Sequence, residues 1–229
     1  MSAGPRVAAF FDVDRTLLTV NSGELWVRYM WRTGRLPLKE AARSILWIVQ
    51  YRLGVLDFEA VTERAARGYA GAEWATIEDD INQWFAAEIA ATLTAEGRAR
   101  IAEHRDQGHQ VVLLTSGTRF VAGPVAAMVE VAADDVLCTE LEVDDDRRLT
   151  GRHLPPACGG PGKVTRAERY AAARDLDLGA SYFYTDSFSD LPMLERVGHP
   201  RVINPDSRLL RHARRRGWEI ERWQQAARP

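Results

Sequence analysis

At 229 residues, 46% hydrophobic and 27% charged, the chain has a globular composition, long enough for one core carrying an insertion, and disorder is excluded as its organising state. Thirty basic against 32 acidic residues leave a formal charge of −2, so no global excess of positive charge exists to hold nucleic acid or an anionic membrane. Cys138 and Cys158 are the only cysteines and form neither a CxxC pair nor a ligand-spaced set, which argues against a zinc site and against a disulfide framework.

The N-terminal stretch lacks a basic segment followed by a long apolar one, so a cytoplasmic protein is expected. Val7 to Phe11 is a short apolar run behind Gly4 and Pro5, and this predicts a buried strand. Asp12 and Asp14 leave its carboxyl end, where open parallel sheets bind ligands. Two acids one residue apart on a strand point the same way; a strand-terminating turn is the other reading, and this stretch alone leaves both open.

Between Val20 and Ala95 lie five of the seven tryptophans, Trp26, Trp31, Trp47, Trp74 and Trp84. The pattern predicts several short helices with breaks at Thr33 to Pro37, at the stretch ending in Gly54, and at Arg67 to Glu73. The apolar run from Ser44 to Tyr51 is bounded by Arg43 and Arg52 and falls far short of the ~20 residues that span a bilayer, so a buried helix and no stable membrane insertion are expected. Trp26, Tyr29, Trp31, Trp47 and Tyr51 read as helix-packing residues, with a hydrophobic substrate cavity as the alternative.

Beyond Thr94 helix and strand alternate. A helix stops at Gly108; a strand from Val111 to Leu114 ends in Thr115, Ser116 and Gly117; a helix runs from Arg119 to Glu130; and a short strand covers Val136 to Cys138. A hairpin turning at Asp144 to Asp146 follows, then a Gly/Pro-rich loop, a helix from about Lys163 to Arg174, and a strand ending at Thr185 before Asp186 and Asp190. The last predicted strand is Arg201 to Asn204. It precedes a basic C-terminal helix whose Arg211, Arg214, Arg215 and Arg216 read as a solvated face favourable to the helix dipole. An α/β sheet interrupted by one helical insertion results.

Polar residues therefore gather behind successive strands: Asp12 and Asp14, then Ser116, then Asp186 and Asp190, with Lys163 at a helix start behind glycines. The set contains carboxylates for a hard divalent cation, a cation and a hydroxyl for phosphate oxygens, and an acid free to act as nucleophile. His104, His109, His153, His199 and His212 share no spacing, and Ser116 stands outside a GxSxG elbow.

These motifs resemble those of the haloacid dehalogenase superfamily: DxDxT in Asp12, Asp14 and Thr16, a strand-end Ser116, Lys163, and the acidic pair Asp186 and Asp190, in that order. The helical block between the first and second motifs resembles the cap of the phosphoserine-phosphatase-like branch. The resemblance implies a Rossmann-like parallel core over residues 1–17 and 95–229 and a helical cap over 18–94. It implies a small phosphorylated substrate attacked by Asp12, with Asp14 protonating the leaving oxygen and later activating water. It further implies Mg2+ held by Asp12, the Asp14 carbonyl and Asp186, phosphate held by Ser116, the Gly117 amide and Lys163, and Asp190 orienting Lys163 or the metal shell. Two departures stand out: Asn21 occupies the position of the acid that reads the phosphoserine amine, with Glu24 three residues on, and Ser187 replaces a glycine after Asp186. A phosphotransferase using the same residues and a non-catalytic binding protein of this fold are the alternatives. A DxD glycosyltransferase would leave Thr16, Lys163 and the acidic pair without purpose.

Overall fold

Ala8–Phe11 forms strand β1, and all four side chains are buried because the strand is central in a sheet covered on both faces. The computed structural model describes residues 6–52 and 57–224, the side chains of residues 51 and 52 excepted. After a loop at Val13–Leu17 come α1 (Ser22–Arg32), α2 (Leu38–Arg52), α3 (Phe58–Arg67) and α4 (Trp74–Trp84). They are separated at 33–37 and 68–73, where glycine and proline predict breaks. The break ending at Gly54 lies outside the described residues, as do Gly4 and Pro5.

The remaining elements are α5 (Ala95–Asp106), β2 (Gln110–Thr118), α6 (Arg119–Met128), β3 (Val136–Thr139), the hairpin β4 (Leu141–Val143) and β5 (Leu149–His153), then α7 (Pro161–Arg174). They continue through β6 (Tyr182–Thr185), α8 (Leu191–Arg196), β7 (His199–Ile203), α9 (Ser207–Arg216) and β8 (Glu219–Glu221). The main sheet has the order β3-β2-β1-β6-β7-β8 and is parallel throughout. Progression reverses at β1, so the crevice beyond the carboxyl ends of β1 and β6 is the topological switch point.

Strand alternation divides the core into two layers. Ala9, Phe11, Val111 and Leu113 face a cluster with Ile101 of α5 and Phe120, Ala122 and Val125 of α6. Ala8, Phe10, Val112 and Leu114 face Ala167 and Tyr170 of α7, Met193 of α8 and Leu209 of α9. The helical segment joins the first layer directly through Ile81 and Trp84 of α4. Trp26 stacks on Tyr29 at 5.4 Å, meets Trp84 at 5.1 Å, and donates its indole N–H to the Tyr69 hydroxyl at 2.7 Å, so these aromatics pack helix on helix. Trp31, by contrast, is 49% exposed, and the Tyr51 side chain lies outside the described residues.

The predicted strands and helices differ from the observed ones at identifiable places. Strand β8 has the sequence EIE, a three-residue edge strand too short and too acidic for an apolar pattern to show, so Arg201 to Asn204 is not the last strand. Strand β2 runs on through Thr118, its pairing with β3 slipping between Leu114 and Thr118. Helix α7 starts at Pro161 rather than Lys163, with proline in the position where its missing N–H costs nothing. The Asp144 carboxylate accepts the N–H groups of Asp146 at 3.1 Å and Arg148 at 2.8 Å, which makes the acidic run a turn. Both cysteines are buried and free; burial pushes the Cys158 thiol up to about 12 and the Cys138 thiol up as well. Among the described residues no helix is long and apolar enough to cross a membrane.

Three histidines scattered in sequence meet at the amino ends of the strands. The Nδ1 atoms of His104 and His109 share a hydrogen bond of 2.8 Å, His104 Nε2 meets the Tyr184 hydroxyl at 2.8 Å, and His199 stacks on Tyr182 at 4.4 Å.

Candidate active site

Asp12 directly follows β1, and its N–H donates to the Tyr184 carbonyl at 2.9 Å, so the ladder to β6 holds its backbone to the very end. The chain then turns sharply: Asp14 stays extended while Arg15 adopts φ +58. The two acids therefore do not leave as a regular strand; a turn follows Asp12, and both readings of the motif are partly realised. The Asp14 carboxylate accepts the Ser22 N–H at 2.9 Å, the first amide of α1, where the helix dipole favours an anion. Asn21 caps the same helix, its Oδ1 accepting the Glu24 N–H at 2.8 Å. Glu24 itself is taken by Arg15, whose guanidinium lies 3.1 Å from both carboxylate oxygens. Thr16 is wholly buried, and its hydroxyl has no partner among the described residues.

The glycine-rich loop delivers Lys163 from the far side. Gly160 has φ +49, and a Cβ on Gly162 would stand 1.9 Å from the Ala157 carbonyl oxygen, so the loop closes in a form that only glycine allows at these points. Lys163 sits in the first turn of α7 at 1% exposure, and its Nζ donates to Asp12 Oδ1 at 2.8 Å and to Asp190 Oδ2 at 2.7 Å. Asp190 Oδ2 also accepts the Thr185 hydroxyl at 2.6 Å. Asp186 is 5% exposed beyond β6; its carbonyl accepts the Asp206 N–H at 2.9 Å. Asp206, which the sequence motifs do not single out, caps α9 through Oδ1 and accepts the Phe188 N–H through Oδ2 at 2.8 Å, pinning the loop that carries the acidic pair.

Ser116 lies inside β2 at the same end of the sheet, its carbonyl accepting the Thr139 hydroxyl at 3.0 Å. The Gly117 amide donates to the Thr115 hydroxyl at 3.2 Å. The geometry thus joins Asp12, Lys163 and Asp190 through direct bonds, with Asp14, Ser116 and Asp186 at the same end of the sheet.

Electrostatics follow from burial. Desolvation drives the Asp12 carboxyl upward, opposed by the Lys163 charge and reinforced by Asp190. Desolvation also raises Asp14, against the Ser22 hydrogen bonds and the charges of Lys163 and Arg15. For Lys163 burial alone would favour the neutral amine, but Asp12 and Asp190 outweigh it and hold the ammonium above its ordinary range. The centre is a buried cation clasped by carboxylates.

The sequence matches the haloacid dehalogenase-like hydrolase family over residues 9–195. The chain belongs to this family. It is 28% identical over 216 residues to a histidinol-phosphatase of Neisseria meningitidis serogroup C, covering 93% of this chain and 96% of that one. It is 30% identical to a phosphoserine phosphatase of Mycobacterium tuberculosis over 93% of this chain and 70% of the relative. Among solved structures, a Bordetella pertussis Tohama I protein of unknown function superposes with a TM-score of 0.84 at 31% identity, over 94% of this chain and 98% of that one. A phosphoserine phosphatase solved as an analogue of its phospho-aspartyl intermediate shares the fold, with a TM-score of 0.68 at 18% identity over 94% and 92% of the two chains.

As a haloacid dehalogenase-like hydrolase of the phosphatase type, the protein belongs to enzymes that use a divalent metal ion. The residues present fit such an ion. Phe11 pairs with Tyr184 across β1 and β6, so Asp12 and Asp186 leave neighbouring parallel strands, and both are buried oxygen donors of the hard type such cations take. Among the described residues no group of three or more acidic, histidine or cysteine side chains is placed to hold a metal. A cavity of about 420 Å³ flanks the site, lined by Arg15, Asn21, Glu24, Leu25, Asn204 and Trp223 among others, and by none of the four aspartates.

Proposed function

We propose that the protein is a magnesium-dependent phosphomonoesterase that hydrolyses a small phosphorylated metabolite through an aspartyl-phosphate on Asp12. The observation that carries this reading is Lys163 Nζ at 2.8 Å from Asp12 and 2.7 Å from Asp190 at the sheet's switch point. An anionic nucleophile reaches an anionic phosphate only if charge is offset, and a buried ammonium bonded to that nucleophile does so. The Asp12 carboxylate attacks phosphorus in line, forming a P–O bond as the bond to the leaving oxygen breaks. Asp14, whose carboxyl reaches the start of α1, gives its proton to that oxygen. It then takes a proton from water, which attacks phosphorus and releases phosphate and the Asp12 carboxylate. Ser116 and the Gly117 amide hold phosphoryl oxygens, the latter by leaving Thr115. Asp12, the Asp14 carbonyl and Asp186 are the residues to hold Mg2+, which would supply charge neutralisation at the transferring phosphoryl group.

In this reading residues 18–94 form a cap that closes over the substrate and excludes water. Phosphoserine is disfavoured as substrate because Asn21 carries no charge and its carbonyl oxygen is committed to capping α1. A cytoplasmic location accords with two buried, free cysteines. The test is phosphate release from a panel including p-nitrophenyl phosphate, histidinol phosphate and phosphoserine. Turnover that stops with EDTA and returns with Mg2+, with phosphoserine a poor substrate, is the expected result; hydrolysis indifferent to chelator would contradict the reading.

A further inference from the structure

The run from Ser44 expected to form a buried helix is instead only half-buried in α2, because part of its apolar surface faces outward. Leu38 is 62% exposed, Leu46 52% and Val49 41%, with Ala42 exposed among them. Spacings of four, four and three residues place these positions on one strip along the helix. Single exposed leucines need no explanation, but a strip of them on one helix is a contiguous patch.

Positive charge borders the strip. Lys39 and Arg43 are exposed and each lies one residue beyond a strip position, on the same flank. Further round, on the side of α2 turned from the strip, the Arg43 and Arg64 guanidinia approach the Trp47 ring to 5.1 and 5.5 Å. Glu40 is the one acidic residue of α2 and falls beyond Arg43, away from the strip. An apolar strip edged on one flank by Lys39 and then Arg43, with the single acid of the helix turned away, is the chemistry of a helix lying in a membrane interface.

We infer that α2 is a peripheral docking face for a lipid surface containing anionic headgroups, Leu38, Leu46 and Val49 entering the acyl boundary while Lys39 and Arg43 meet lipid phosphates. The net charge of −2 supplies no long-range attraction, so docking depends on this local match. A second copy of the chain fits the surface less well. Antiparallel two-fold pairing of α2 would set the Lys39–Arg43 flank against the same flank of the partner, a like-charge contact. The inference is independent of which phosphate ester the active site takes.

The test is co-sedimentation of the full chain with vesicles of phosphatidylcholine alone, and with vesicles in which about one third is phosphatidylglycerol. Binding to the second and not the first is expected, weakening as salt rises from roughly 0.1 M to roughly 1 M and the Debye length falls from ~10 Å to ~3 Å. Leu46→Glu combined with Val49→Glu should lower partitioning by about tenfold or more while leaving circular dichroism and p-nitrophenyl phosphate hydrolysis unchanged. Absence of binding to anionic vesicles overturns the inference, as does binding that the double variant retains. A concentration-dependent dimer in sedimentation equilibrium that the variant abolishes, without vesicle binding, overturns it in favour of a second copy.

Discussion

Lys163 and Asp12, 151 positions apart in sequence, are joined by a charge-assisted hydrogen bond of 2.8 Å in the buried centre of the site. The bond exists because α7 begins at the carboxyl end of the sheet, and because Asp190 holds the same ammonium at 2.7 Å. Removing the cation strands two buried carboxylates. Lys163→Ala is therefore expected to lose about 3–5 kcal/mol of stability in urea unfolding and to lose turnover. Lys163→Arg should also fail, since a planar guanidinium does not fit a pocket shaped for a compact ammonium.

Asp14 separates shape from chemistry. Asp14→Asn keeps an oxygen for the Ser22 N–H and removes the exchangeable proton, so unchanged thermal unfolding with kcat reduced by roughly 10²–10⁴ is expected in steady-state assays.

Asn21→Ala should destabilise the protein by about 1 kcal/mol through loss of the α1 cap, whereas Asn21→Asp, which caps equally well, should not. Chemical denaturation of the pair reads the difference directly.

Gly162→Ala places a methyl group against the Ala157 carbonyl at the loop that delivers Lys163. A fall in kcat larger than the fall in melting temperature would imply is expected, because displacement of the loop moves the ammonium off Asp12.

The histidine cluster predicts acid sensitivity unrelated to catalysis. Burial first, then His109, Arg100 and Arg201, lower His104 from 6.5 to about 4; burial and His199 also lower His109. Facing groups are the Tyr184 hydroxyl and the Tyr182 ring. Well above pH 6.5 neither folded nor unfolded His104 carries a proton. As pH falls toward about 4 the unfolded chain binds one that the folded chain refuses, so stability declines through this window, by on the order of 3 kcal/mol at most. His104→Gln should flatten the profile of unfolding free energy against pH.

The sequence revealed most where chemistry and pattern coincide. Phe10, Phe11 and the aspartates behind them were legible because a doubly covered strand is continuously apolar and its end is abruptly polar. Strand β8 was not, since an edge strand of Glu219, Ile220 and Glu221 has no apolar run. Lys163 could be placed at the site, but its bonds to both Asp12 and Asp190 required the fold. Asp206 carries no sequence signal, because its role is backbone capping, which any surface aspartate before a helix resembles. The histidine contact was hidden for a similar reason: His104 and His109 sit five apart across a helix end, and His199 approaches from another strand. Asn21 was legible as a departure, and only the structure showed that its side chain is spent on α1.

The most direct test of the account is phosphate release from p-nitrophenyl phosphate with magnesium, comparing Asp12→Asn with the unaltered protein. Loss of turnover in a variant whose circular dichroism and melting temperature show it folded is the predicted result, because the amide keeps the shape and lacks the nucleophile. Substantial turnover remaining in that variant would contradict an aspartyl-phosphate on Asp12.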